Sequence, residues 1–278
     1  MSPEARPEGP HVPEGWLDAA SAVRAGGRVA VLGATDTGKT TFCAWLLARL
    51  EAAGLPALGL DADPGQSWIG PPACAALGRP GEGPRELRFL GATEPVGGAA
   101  ALFRAVRSLA GGAGGAVLVA NTAGLVSGPG LWLQPATVRA LGADLVVAIE
   151  RGGEAGPLVE ALGGGPGGVR VLRLRASPRA RRRSQAERRR ARAEGFARAF
   201  AGAGILDLPR ASADAPADAA GRTLCAAIGA RGETLALALA LGEGRFLTAA
   251  PARLVRRVEA GRVALDEDWR ETRRPGVP

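Results

Sequence analysis

The segment that most restricts the fold is residues 27–54, GRVAVLGATDTGKTTFCAWLLARLEAAG. A β-branched run meets a glycine-rich turn, and apolar residues at helical spacing follow, so the segment reads as strand, loop, helix. The turn, Gly33-Ala34-Thr35-Asp36-Thr37-Gly38-Lys39-Thr40, fits G-x-x-x-x-G-K-[ST] in the strand-to-helix context that gives this pattern its meaning. Gly33 and Gly38 let the backbone wrap closely round a polyphosphate, successive N–H groups and the helix N-terminus supply positive potential, and Thr40 offers a hydroxyl to Mg²⁺. Lys39 suits the β- and γ-phosphates as a compact, movable charge, a task that the planar arginine fork fills poorly. With Thr41, these residues form the candidate nucleotide cradle.

Composition adds weight to Lys39. Of 35 basic residues it is the single lysine; the rest are arginine, in a chain rich in Ala and Gly, with no Tyr and a single Asn, Asn121. Such a bias suits G+C-rich codons, so rare residue types carry more information than common ones. At 278 residues and 46% hydrophobic content the chain has room for one or two globular units with a real core, which excludes a peptide or wholesale disorder. Cys43, Cys74 and Cys225 stand far apart, which argues against a disulfide framework or zinc site and for buried thiols. The acidic, proline-rich start has no apolar core, and no run of about 18 apolar residues follows, so a soluble, cytoplasmic protein without membrane partners is expected.

Further apolar runs end at Asp61, Asn121, Glu150 and near Leu174, with a helical segment around residues 99–110 between two of them. Strands alternating with helices predict an α/β fold, a mainly parallel sheet flanked by helices. In such a sheet the ligand crevice lies at the strands' carboxyl ends, where Gly33, Asp61 and Asn121 fall. After residue 203 the runs shorten and alternate, which predicts a small β-rich C-terminal unit.

Asp61-Ala62-Asp63-Pro64-Gly65-Gln66 ends the second strand beside the cradle. A carboxylate there can hold Mg²⁺ through water or accept the proton of an attacking hydroxyl, and Gln66 can position a substrate group. Asn121-Thr122-Ala123-Gly124 ends the third strand, where a short polar side chain can touch phosphate or base, or cap a turn. Residues 173–198 hold eleven arginines and two glutamates, a local +9 that leaves the rest of the chain near −1. The segment is expected to be helical from Ser184, with Arg183 and Arg188 near one end and Phe196 and Phe200 facing the core. Arginine forks there can neutralise a transferring phosphoryl group or grip nucleic-acid phosphates, although a solvated basic helix has the same composition. His11 is expected to have no role. The five tryptophans are expected to be core or interface anchors more often than base platforms, and Trp68 and Trp132, near predicted strand ends, are the two to test as base contacts.

The combination resembles the polynucleotide 5′-hydroxyl kinase family, P-loop enzymes that phosphorylate RNA or DNA 5′ ends, in a compact prokaryotic form. GATDTGKTT is similar to its Walker A loop, DADPGQ to its D-x-D-x-G-Q form of Walker B, and RFLGATEP at residues 88–95 to its strand-plus-TP segment. NTAG is similar to its clasp, with Leu125 where Trp is usual, and Arg183-Ser184 with Arg188, Arg192 and Phe200 resembles its arginine lid. The likeness spans about residues 16–202. It implies a P-loop NTPase fold with residues 1–25 as tail and lead-in helix, 26–203 as kinase domain with a lid at about 176–195, and 204–278 as a β-rich domain. It further implies ATP or another NTP and Mg²⁺, with RNA or DNA bearing a 5′-hydroxyl as partner. By that resemblance Lys39, Asp61, Arg183 and Arg188 are catalytic, Thr40 and Asp61 neighbour the metal, and Asp63, Gln66, Thr122 and Gly124 meet the substrate. Two rival readings are a P-loop ATPase or GTPase switch of the partitioning or metal-chaperone kind, and a nucleotide-binding RNA-processing scaffold without turnover. The switch's second signature lysine is absent, since Ala34 and Thr35 stand there.

Overall fold

A computed structural model of the chain describes residues 11–163, 168–208 and 222–273. Residues 1–10 of the expected lead-in, and 209–221 and 274–278 of the expected C-terminal unit, lie outside the described residues.

The first sheet has seven strands: β1 (Arg28–Gly33), β2 (Ala57–Ala62), β3 (Cys74–Arg79), β4 (Gly83–Phe89), β5 (Val117–Thr122), β6 (Leu145–Glu150) and β7 (Arg170–Arg175). Their order is β4-β3-β2-β5-β1-β6-β7. β2, β5, β1, β6 and β7 run parallel, and β2, β5 and β6 are buried throughout. Parallel strands covered on both faces read as continuous apolar runs, which is why these were visible in the sequence.

Helices cover both faces. On one side, Trp16 of α1 (Gly15–Ser21) and Phe42, Leu46 and Leu50 of α2 (Lys39–Ala52) pack on the sheet. On the other, Leu102, Val106 and Leu109 of α3 (Ala99–Gly111), Leu133 and Leu141 of α4 (Gly130–Leu141), and Leu158 of α5 (Gly156–Gly163) do so. The simple strand–helix alternation misses one feature: β3 and β4 form an antiparallel hairpin at the sheet's edge. Cys74-Ala75-Ala76-Leu77 is buried on both sides and carries no polar alternation to mark it as a strand.

The second sheet is antiparallel: β8 (Gly204–Asp207), β9 (Thr223–Ile228), β10 (Thr234–Gly242), β11 (Arg245–Thr248), β12 (Arg257–Leu265) and β13 (Glu271–Arg273), in the order β13-β12-β9-β10-β11-β8. Helix α6 (Gln185–Ala199) joins the two sheets. Its Phe196, with Phe200 just beyond its end, packs among Ala73 and Cys74 of the first sheet's hairpin region and Leu224, Leu237 and Leu239 of the second sheet, and Trp269 stacks on Phe200 at 4.9 Å. At its other end Ser184 and Glu187 form a reciprocal capping box, so the helix N-terminus is satisfied by its own sequence. No described helix is long and apolar enough to cross a membrane, and all three cysteines are free and buried.

A candidate nucleotide cleft

The loop between β1 and α2 is shaped by contacts that only glycine permits. Gly33 has φ +150°, and a Cβ there would lie 2.3 Å from the Ile149 carbonyl oxygen; Gly38, with φ +94°, is the left-handed N-cap of α2. Lys39 folds back so that Nζ donates to the Ala34 carbonyl at 3.0 Å, which the Thr37 hydroxyl also reaches at 2.9 Å. The lysine is 7% exposed, and burial lowers its pKa from the usual lysine range. Thr40 and Thr41 are exposed at the start of α2 and line the cleft that opens over the loop.

That cleft has a volume of about 600 Å³. Beside the loop its wall comes from Asp63, Gln66, Ser67, Trp68 and Asn121, and across from it stand His11, Trp16, Ser177, Arg179, Arg181 and Arg183. Gly124 sits against Thr35, where a Cβ would meet the threonine hydroxyl at 2.3 Å, so the end of β5 and the cradle are in direct contact.

The two Walker-B-like carboxylates have different surroundings. Asp61 is fully buried below the floor; its Oδ2 accepts from the N–H groups of Trp68 at 2.7 Å and Ile69 at 3.2 Å, and Oδ1 from that of Asp63 at 3.3 Å. Burial pushes its carboxyl up to about 7 against those three donors. Its expected place in the cleft, as base or metal neighbour, is thus not where the side chain lies: Asp61 organises the loop that follows it. Asp63 does line the cleft. Its Oδ1 accepts from Gly65 and Gln66 N–H at 3.1 Å each, while burial raises its pKa and the Lys39 charge counters that rise. Gln66 turns its amide onto the Gly65 carbonyl.

Thr122 also departs from its expected role. Its hydroxyl donates to the Val31 carbonyl at 2.9 Å, tying β5 to β1, and the side chain is buried away from the cleft. The residue before it takes that position: Asn121 lines the cleft, is 1% exposed, and its Oδ1 has no hydrogen-bond partner. Ser67 Oγ and the Nε1 atoms of Trp16 and Trp68, all cleft residues, are likewise buried without partners. Buried polar atoms are normally satisfied, and four of the seven bare ones among the described residues belong to residues lining this cleft. The signal for Asn121 was its being the only asparagine. His11, expected to have no role, lies at the cleft with Nδ1 3.1 Å from Ser177 Oγ. Trp132 stands 48% exposed on α4, edge-on to Phe103, and does not line the cleft. Leu125 packs against the α3–α4 core.

The arginine segment reaches the cradle through Asp36. The Asp36 carboxylate accepts from the Arg183 N–H at 2.9 Å and from Arg188 Nη2 at 2.7 Å, and Arg183 Nε stands 3.5 Å from it. Arg151 Nη2 bridges the Asp36 carbonyl at 2.6 Å and the Ala180 carbonyl at 3.1 Å. Arg181 is paired with Glu187 of the capping box.

A family model described as the mRNA cleavage and polyadenylation factor CLP1 P-loop matches residues 33–202. A polyribonucleotide 5′-hydroxyl-kinase of Methanocaldococcus jannaschii is 27% identical over 156 residues, which is 51% of this chain and 43% of that protein. Another, of Pyrococcus horikoshii, is 30% identical over 142 residues, 48% of this chain and 39% of the relative. The matched segment therefore spans less than half the length of these relatives. Among solved structures, one describing an extended interface between Pcf11p and Clp1p superposes with a TM-score of 0.69 at 11% identity, covering 88% of this chain and 77% of that one. That likeness shows the shared fold.

Proposed function

The chain belongs to the mRNA cleavage and polyadenylation factor CLP1 P-loop family, and from that premise we propose that it is a polynucleotide 5′-hydroxyl kinase, moving the γ-phosphate of ATP or another NTP to the 5′-hydroxyl of RNA or DNA. The relatives that carry this activity in their names support the reading. The observation that carries it is that Lys39, Asp63 and Arg183 line the same cleft, together with Asp36, Arg179 and Arg181. We take residues 26–203 as the catalytic unit and 204–278 as its support, in a cytoplasmic, RNA-processing setting.

The cradle's N–H groups bind the phosphate chain, and Lys39, released from the Ala34 carbonyl, moves to the β- and γ-oxygens. The 5′-hydroxyl oxygen attacks the γ-phosphorus in line; that O–P bond forms as the bond to the β,γ-bridging oxygen breaks, and the nucleoside diphosphate leaves. The hydroxyl proton passes to Asp63, the carboxylate that lines the cleft beside Lys39. Arg183 spreads the equatorial charge. The exposed Thr40 hydroxyl, a hard oxygen donor lining the cleft, would hold Mg²⁺ together with the nucleotide's own phosphates. Bound there, Mg²⁺ neutralises phosphate charge.

Incubating the protein with NTP labelled at the γ-phosphate and 5′-hydroxyl oligonucleotides of RNA and DNA tests the reading. Label on the oligonucleotide is the expected result. Inorganic phosphate alone assigns the chain to NTPase switches, and nucleotide binding with neither product makes it a scaffold.

A further inference from the structure

Two arginines were expected to serve as parallel fingers, but they differ in what they touch. Arg183 lines the cleft and is 44% exposed; its backbone N–H and its Nε face Asp36, while among the described residues its two Nη atoms have no hydrogen-bond partner. Arg188 does not line the cleft. Its Nη2 is spent on Asp36, and its Nε is buried without a partner. Between them stands Asp36, a loop residue with φ +62°, a left-handed conformation that Asp tolerates better than most side chains. That conformation accompanies a carboxylate turned to the arginine segment, where the side chain is 3% exposed.

We propose that Asp36 is a positioning residue, a bracket that holds the back of Arg183 so that its free Nη fork faces the phosphate site, and that Arg188 acts only through Asp36 by fixing its carboxylate. The proposal rests on the kinase reading for its kinetic test but not for its structural one. A carboxylate in a phosphate cradle is otherwise unfavourable, because it repels the ligand the loop is built to hold. With one arginine spent on cancelling that charge and a second aligned by it, the loop gains a preset finger before any nucleotide arrives. Preset donors cost no reorganisation during the reaction. Arg151 reinforces the bracket from the main-chain side by joining the Asp36 and Ala180 carbonyls.

The variants Arg183→Ala, Arg188→Ala, Asp36→Asn and the Asp36→Asn/Arg188→Ala pair separate the roles. Asn adopts positive φ much as Asp does, so Asp36→Asn removes the charge without straining the loop. Arg183→Ala is expected to lower kcat by about 10³ or more, the scale of a cis finger. Arg188→Ala and Asp36→Asn are each expected to lower kcat about tenfold, and Arg188→Ala also to weaken nucleotide binding, because it leaves the Asp36 charge uncancelled beside the phosphates. The double variant is expected to be no worse than the poorer single, the mark of two residues acting through one contact. Arg188→Ala costing as much as Arg183→Ala, or losses that multiply in the double variant, would overturn the assignment.

Trypsin cleavage after Arg179 to Arg183 in nucleotide-free protein gives the second readout. Asp36→Asn and Arg188→Ala should each speed it by about fivefold or more, and the pair no further. Unchanged cleavage in both singles rejects the bracket even if the wild type transfers no phosphate. Absence of transfer with accelerated cleavage rejects the kinase reading and keeps the bracket.

Discussion

At the carboxyl edge of the parallel sheet, Asp61, Asp63, Asn121, Thr122 and Glu150 are buried, whereas the described part of the antiparallel sheet buries only Thr223, Thr234 and Thr248 as polar side chains. The threonines mostly finish the backbone's own hydrogen bonding: Thr248 donates to the Leu237 carbonyl, and Thr234 accepts from the Phe89 N–H across to the first sheet. At the parallel edge all but Thr122 are charged or amide, and Asn121, whose Oδ1 is buried without a partner, lines the cleft. One sheet gathers charged and amide groups at the cleft, and the other, with few buried polar side chains, packs against the first sheet's hairpin region and α6. Both sheets keep a buried polar atom without a partner, Thr223 Oγ1 in the second and Asn121 Oδ1 in the first, but of these two residues only Asn121 lines the cleft.

Substitutions can break this contrast, beginning with the largest effect. Phe196→Ala empties a fully buried site between the sheets and should cost about 3–5 kcal/mol in urea unfolding. Phosphoryl transfer per folded molecule at low temperature should survive it; if transfer falls in proportion to stability, the second sheet is more than a support. Lys39→Ala should do the reverse, with transfer down by at least about 10²–10³-fold. Its melting temperature should stay within about 4 °C, the scale of 1 kcal/mol.

Asp61 provides a pH test. Its folded carboxyl titrates near 7, above the ordinary value of about 3.9 for an unfolded chain, so between those values the folded state holds a proton that the unfolded state has lost. The contribution favours the fold at pH 4 and fades as pH rises to 7. Relative to Asp61→Asn, wild-type stability should fall by about 1–3 kcal/mol over that interval, measured as paired denaturant midpoints. A flat difference would mean that the three N–H donors keep Asp61 ionised. The smallest effect on transfer belongs to Asn121→Ala: a KM for oligonucleotide or nucleotide raised by up to about tenfold, the worth of one hydrogen bond, with a stability cost confined to lost packing of about 1 kcal/mol because Oδ1 has no hydrogen bond to lose.

Much of the site could be read from the chain because phosphate binding fixes residue types over a short stretch. Gly33, Gly38 and Lys39 each have one physical reason to be what they are, and the strand and helix around them carry plain periodicity. The parallel strands were legible from their unbroken apolar runs. What sequence could not resolve was side-chain direction where a strand ends. Asp61 and Asp63 share strand parity, yet the chain leaves β2 at Ala62 and Asp61 turns under the loop while Asp63 stays in the cleft. Asn121 and Thr122 are both in β5, where adjacent side chains take opposite faces, and it is Asn121 that lines the cleft. Nor does linear spacing show that Asp36 and Arg188, 152 positions apart, share an ion pair, or that His11 reaches Ser177.

A chain whose single ε-amine lies in a phosphate cradle has an unusual chemical property. Amine acylation finds one side-chain target, Lys39, besides the α-amine at the start of the chain. Burial lowers the pKa of that amine and so raises its nucleophilic fraction, while limiting a reagent's approach. Acylation at Lys39 alone, separated from other amines by peptide mapping, would thus report whether the loop is covered, without a fluorophore or an engineered cysteine.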